Sequence, residues 1–299
     1  MAKQISSGKA VWTSFFVDLG DIILNVIVMI ATGSVVMLAE AFEGLSDLVA
    51  SGLLLIGLRI SKRRSNKKHP FGFGKSLFFW TLISAIVMFI SGGGLSIYFG
   101  VQRFLHPQEV EKIYFAYGAL FISIVTNGYA LSLSTRRLLE KEKLTKIFRI
   151  FFKTTHVETK NTFILDLTGT ASAIIGVISL MLYQFANIKY FDAVGAILIG
   201  ILIAVSSVML ILGVKDYLIG KTAPPEIEKN IRKAVLEVNG VASIMELDTM
   251  YIGSEKLLVH LDIKLQQANP KDIGKTVEKV KEHLQKEVPI VYSMQIETR

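Results

Sequence analysis

Leu38-Ala39-Glu40-Ala41-Phe42-Glu43-Gly44-Leu45-Ser46-Asp47-Leu48 sets three carboxylates inside a run, Val35 to Ile60, that is otherwise apolar enough to cross a bilayer. Acids at that depth are expensive, and they mark paths for ions or protons. On a helix turning about 100° per residue, Glu40, Glu43 and Asp47 fall within about 60° of one another. They make one acidic stripe, with Gly44 and Ser51 beside it. Glu43 and Asp47 stand one turn apart, so both side chains reach a single ion.

Outward from this helix the chain divides into six apolar spans, about 11–32, 35–60, 77–104, 111–138, 157–184 and 191–213. Each is near the ~20 residues that a helix needs to cross the hydrocarbon. The hydrophobic share of 51% and mean hydropathy of +0.48 agree with a polytopic membrane protein. Gly33-Ser34 joins the first two spans. Lys62, Arg63, Arg64, Lys67, Lys68 and Lys75 follow the second without one acid, and residues 136–160 hold eight basic against three acidic groups. The alternate loops, about 105–110 and 185–190, are short and weakly charged. The positive-inside rule therefore predicts both termini in the cytoplasm, in an inner or plasma membrane. The basic loop 62–68 fixes topology and attracts anionic lipid.

The formal charge of +8 lies wholly in residues 1–213, because residues 214–299 carry 13 basic and 13 acidic groups. That placement is topological and argues against nucleic-acid binding. The chain has no cysteine, which excludes disulfides and thiolate metal sites. Met1 to Lys9 lacks a short apolar core with a small-residue cleavage site, so no cleaved signal peptide is expected.

After Gly213 the composition becomes that of a small soluble domain. Pro224-Pro225 opens a helix with Ile227, Ile231, Val235 and Val238 on one face. Ile244–Ile252 and Leu257–Gln266 read as strands around a Gly253-Ser254-Glu255 turn. In the second strand Val259, Leu261, Ile263 and Leu265 alternate with His260, Asp262 and Lys264, which predicts a polar face for the latter set. Asn269-Pro270 caps a helix with Ile273, Val277, Val280 and Leu284, and Ile290–Glu297 is a last strand. The order αββαβ predicts an open α+β sandwich with the helices on one face of a three-stranded sheet. At about 80 residues such a domain buries little core alone, which favours self-association.

Within the hydrocarbon, Asp18, Asp21 and Asn25 repeat the spacing of Glu40, Glu43 and Asp47. Span five carries Asp166, with Thr162 one turn earlier; spans four and six offer Asn127 and Asp192, the latter at the outer end. Within the hydrocarbon no Lys or Arg neutralises Asp18, Asp21, Glu40, Glu43, Asp47 and Asp166, since Arg59 lies at a helix end. Uncompensated acids must be protonated or bind cations. A site that alternates between those states is what a cation/proton exchanger needs.

Taken together, the six spans, Thr32-Gly33-Ser34 leading into the acidic helix, His69-Pro70-Phe71-Gly72-Phe73-Gly74-Lys75, Phe191-Asp192-Ala193-Val194-Gly195 and the αββαβ tail resemble the cation diffusion facilitator family of divalent-metal transporters. The resemblance covers essentially the whole chain. It implies a homodimeric exporter with a tetrahedral metal site near the midplane, formed here by Glu43, Asp47, Thr162 and Asp166. Asp47 and Asp166 are the faithful pair; the family usually has His or Asp where this chain has Glu43 and Thr162. The family's loop site after span two often uses two His, whereas here His69 is followed by Phe73, so no metal is expected there. The resemblance also implies zinc as the first substrate. An all-oxygen donor set leans instead toward Mn²⁺ or Fe²⁺, because imidazole is the donor that favours zinc. No prosthetic group is implied; the metal is cargo and protons are the counter-ion.

Each residue also has a plainer reading. Protonated Asp47 and Asp166 can hydrogen-bond helices together. Asp18 and Asp21 serve as a proton relay or line a wet groove, and Glu40 joins them or faces an aqueous vestibule. Thr162 is a helix-packing hydroxyl or a ligand. His106 and His156 lie near span ends and read as solvated. In the tail, where the family often binds regulatory metal, His260 stands with Asp262 near Asp248 and Glu297; a lone imidazole is a poor metal anchor and otherwise simply solvated. Two other classes compete: a non-transporting partner or metal-sensing scaffold, suggested by Thr162, and a membrane-embedded hydrolase. The chain lacks a His-Glu-x-x-His segment, so an enzyme is not expected.

Overall fold

The computed structural model describes residues 7–139, 142–153, 157–266 and 270–298, with the side chains of 7–18, 148, 152, 153 and 270–272 left outside the description. The helices are α1 (Ser7–Thr32), α2 (Val35–Ser61), α3 (Ser76–Leu105), α4 (Ile113–Leu139), α5 (Ile147–Lys153), α6 (Val157–Ala186) and α7 (Tyr190–Ile219), followed by α8 (Pro225–Leu236), β1 (Val241–Gly253), β2 (Lys256–Leu265), α9 (Pro270–Glu287) and β3 (Val291–Thr298). Among the described residues, α2, α3, α4, α6 and α7 are long and apolar enough to cross a membrane, and α1 adds the apolar stretch Leu19–Thr32. The chain is an integral membrane protein, mainly α, with a small α+β tail. It splits into two compact units, Met1–Leu55 with Trp80–Gly213, and Ile56–Phe79 with Val214–Arg299.

In the first unit, helix ends are fixed by polar contacts that a lipid environment demands, since unpaired backbone groups there are costly. Gly33 takes φ +65°, a left-handed conformation that only glycine adopts freely, and its N–H donates to Met29 O at 2.8 Å. The next helix is capped from a distant part of the chain. Asp192, fully buried at the start of α7, accepts from Ser34 Oγ (2.6 Å), Val35 N (3.0 Å) and Val36 N (3.2 Å). Arg103 of α3 adds an ion pair at 3.5 Å to Asp192 and a hydrogen bond to Gly33 O. The Thr32-Gly33-Ser34 and Phe191-Asp192 segments are thus two halves of one cap.

Small residues let the helices close up. A Cβ at Gly176 of α6 would stand 2.9 Å from Leu120 of α4 and 3.1 Å from Val36 of α2, and one at Gly44 of α2 would stand 3.1 Å from Ile22 of α1. Helices α1, α2, α4 and α6 thereby surround a common core that includes Val28, Val36, Leu120, Leu165 and Ala173. Helix α3 packs against α7 through Gly93, Gly100 and Gly200. It is not a uniform helix as hydropathy predicts: Met88–Gly94 is a π-helical segment. Helix α7 runs on past the predicted end at Gly213 to Ile219, with Val214 and Tyr217 buried.

In the second unit the αββαβ order appears as read, with strands in the order β1-β2-β3. Strand β2 pairs antiparallel with β1 and parallel with β3. Leu257, Val259, Leu261 and Ile263 are fully buried, as are Ile231 and Val235 of α8 and Val280 and Leu284 of α9. The Asn269 cap lies outside the described residues. Asp262 departs from the expected polar face, being 2% exposed. The reason is position: β2 is the central strand, and Asp262 is paired with Glu246 of β1 on one side and Glu297 of β3 on the other. The His69–Lys75 segment also belongs to this unit. Gly74 lies so close to the Ile252–Gly253 backbone that a side chain would strike it, and Lys75 Nζ donates to Leu218 O at 3.4 Å.

Candidate cation site in the helix bundle

The acidic stripe of α2 faces inward. Glu43 is 3% exposed, Glu40 1%, and Asp47 is half-buried. The Glu43 carboxyl reaches across to α6. Its Oε1 lies 2.8 Å from where a Cβ would stand on Gly169, and the Asn127 amide of α4 lies 3.2 Å from the same point. Three helices therefore meet at one spot that only a glycine leaves open. Asp166 is one turn from Gly169 on α6 and half-buried, as Asp47 is one turn from Glu43 on α2. The Thr162 hydroxyl donates to Glu158 O at 3.1 Å, which leaves its lone pairs facing outward from the helix backbone.

A second polar group lies one turn from Glu43 toward the Gly33 turn. Asp21 of α1 accepts from Ser123 Oγ of α4 at 3.0 Å and from Asn25 Nδ2 at 3.2 Å. Glu40 is hydrogen-bonded to Ser172 of α6 and feels the charge of Asp21. Glu40 is buried in this conformation and does not face an open vestibule. Asp18 lies in α1, but its side chain is outside the described residues, as is His156.

Among the described residues, no three or more His, Cys, Asp or Glu side chains are gathered tightly enough to hold a metal ion. The oxygen donors of α2 and α6 stand at one level of the bundle without forming a closed shell. Sequence reasoning noted Asn127 but left it out of the donor set, and its only signal was an amide within an apolar span. Gly169 gave no signal. Asn161, fully buried beside Thr162, was also missed; neither of its amide atoms has a hydrogen-bond partner among the described residues.

The remaining candidates lie elsewhere. His69 packs its ring against Phe73, centroids 4.3 Å apart. His260 Nε2 stands 3.4 Å from Glu297 Oε1, opposite Asp248 in register. His106 is exposed. Asp192 caps α2 and is not part of the Glu43 group.

Comparison with known proteins agrees with this architecture. A family model described as the cation efflux transmembrane domain matches residues 11–219. A mouse protein named proton-coupled zinc antiporter SLC30A9, mitochondrial, is 27% identical over 252 residues, covering 84% of this chain and 44% of the relative. Metal tolerance protein C4 of Arabidopsis thaliana is 26% identical over 251 residues, covering 83% and 54%. A transporter of Methanocaldococcus jannaschii is 23% identical over 250 residues, covering 83% and 82%. The chain spans less than half the length of the mammalian relatives that it matches.

Proposed function

The chain belongs to the cation efflux family, and from that premise we propose that it exports a divalent transition-metal cation in exchange for protons, working as a homodimer by alternating access. Zinc is the first substrate and Mn²⁺ or Fe²⁺ the alternatives. The observation that carries the reading is the meeting of the Glu43 carboxyl with α6 at Gly169, one turn from both Asp47 and Asp166. Glu43, Asp47 and Asp166 bind the metal from the cytoplasm and give up protons as they do so. Rocking of the bundle then exposes the site outward, where protons displace the metal. Carboxylates cannot hold both cations fully at once, and that competition is the coupling. Thr162 contributes a hydroxyl lone pair, and the mammalian relatives named as proton-coupled zinc antiporters support zinc and protons.

The test is metal uptake into inside-out vesicles under an imposed pH gradient. Asp47→Ala and Asp166→Ala are each expected to abolish uptake, and unchanged uptake in either removes the site. A competition panel of Zn²⁺, Mn²⁺, Fe²⁺, Co²⁺ and Cd²⁺ ranks the metals. Thr162 in a position usually held by His or Asp supports a second reading, a non-transporting partner. Absence of flux from the protein alone, with flux on adding a second homologue, favours that reading.

A further inference from the structure

Asn161 is a side chain of α6 that the carboxylate site leaves without a role. It is fully buried, and neither its amide oxygen nor its amide nitrogen has a hydrogen-bond partner among the described residues. An amide kept out of water in that way is costly, so this residue type is held there against stability. Its place follows from the register of the neighbouring helices. Gly176 lies against Val36 of α2, and seven residues away on each helix Gly169 meets Glu43. The two helices therefore run antiparallel. The same register sets Leu165 across from Asp47, and Asn161 across from the half-buried Ser51. Along α7, Ser179 packs on Gly195, and Thr168 Oγ1 donates to Ser206 Oγ at 2.7 Å. That register, continued by seven residues, brings Gly213 opposite Asn161, on the helix face that Gly195 and Ser206 share.

The two ends of this α6–α7 seam differ. A Cβ on Gly195 would stand 2.6 Å from Ser179, whereas one on Gly213, an exposed residue, would meet nothing within 4 Å. The seam is tight at the start of α7 and open at the end that bears Asn161. We infer that Asn161 is an entry ligand for the transported dication, one helical turn from the level of Asp47 and Asp166, on the side where α6 and α7 part. The inference rests on the exchange reading above, in which this is the cytoplasmic side. A hydrated dication must lose water before the carboxylates hold it, and amide oxygens are ligands for divalent cations. The amide replaces one water without adding charge, so the ion passes on to the carboxylates and does not stop short of them. Ser51 and Thr162 beside it offer only hydroxyls, and that of Thr162 donates to Glu158 O.

The test uses the full chain in detergent, with zinc association followed by stopped-flow competition against a fluorescent zinc dye, and manganese as a second probe. Asn161→Leu keeps the branched shape and removes the ligand. It is expected to slow both association and dissociation of zinc about tenfold, the effect of one lost polar contact, while equilibrium affinity stays unmoved. The variant should melt no lower than the wild type, because a buried amide without a partner has been removed. Asn161→Asp, which restores an oxygen ligand, is expected to restore fast association. An unaltered association rate in Asn161→Leu overturns the inference. So does a fall in equilibrium affinity as large as that of Asp47→Asn, which would put Asn161 in the metal site itself. A melting temperature lowered in both Asn161→Leu and Asn161→Ala overturns it too, by making the amide a tie between helices. Those failures leave the Asp47–Asp166 site standing. Wild-type protein that binds neither zinc nor manganese, or binds them equally well as Asp47→Asn, overturns the exchange reading and this inference with it.

Discussion

Asp192 is fully buried, accepts three hydrogen bonds from the first residues of α2 and its flank, and is paired with Arg103, itself 10% exposed. Removing one member of such a buried pair strands the other charge and, here, orphans helix N–H groups as well. Asp192→Ala is therefore expected to destabilise the protein by about 3–5 kcal/mol, read as a lower melting temperature in detergent. Adding Arg103→Ala should restore part of that loss, because no guanidinium then remains unpaired. A melting temperature that does not move would show that the cap contributes nothing. Residues of this kind were only half legible in the sequence. The acidic stripe announced itself because carboxylates in an apolar run have few explanations, and Glu40 and Glu43 are indeed buried. What Asp192 does could not be read, since its hydrogen-bond donors lie more than 150 positions away. Gly169 was silent for another reason: its function is to be empty space.

At the scale of elements, the contact of α3 with α7 is the most demanding. A Cβ on Gly200 would meet Ile97 N at 2.8 Å and Gly93 O at 2.9 Å, both backbone atoms that cannot swing aside. Gly213, on the same helix, has nothing within 4 Å of that position. Gly200→Ala should thus cost about 1–3 kcal/mol through forced separation of the helices, whereas Gly213→Ala should gain up to about 1 kcal/mol from helix propensity. Equal melting temperatures for the two variants would refute the close packing. Among the described residues, hydropathy found the five helices long and apolar enough to cross a membrane and the apolar stretch Leu19–Thr32 of α1, because length and apolarity are local properties. It could not find the π-helical segment Met88–Gly94, because Ser91-Gly92-Gly93-Gly94 reads simply as small residues in an apolar run. Ser91 there stands 3.0 Å from Ser46 on the acidic helix, so this irregular turn touches the element that carries the candidate site. Nor could it place the end of α7, where Lys215 and Asp216 resemble the start of a soluble segment while Val214 and Tyr217 stay buried.

For the whole molecule the open question is direction, and charge supplies the argument. The loop 62–68 is basic and exposed, whereas residues 106–112, at the other end of α3, carry Glu109, Glu111 and Lys112. Lys189 hydrogen-bonds Glu109 at 2.8 Å and holds that carboxyl below the usual carboxylate range, so the side chain stays anionic in mildly acid solution and loses its charge only as pH falls through the lowered value. The loop before α3 is therefore strongly positive and the one after it close to neutral, the asymmetry that orients insertion. Because the chain has no cysteine, single substitutions report sidedness without background. Ser65→Cys, in the basic loop, is expected to react with a membrane-impermeant maleimide only in inside-out vesicles, and Gln108→Cys only in intact cells. Both positions are exposed, so reaction depends on side and not on burial. The reverse pattern would turn the molecule over. Export would then become import for the same carboxylates, since a carrier's direction is set by which face meets the metal and which meets the protons.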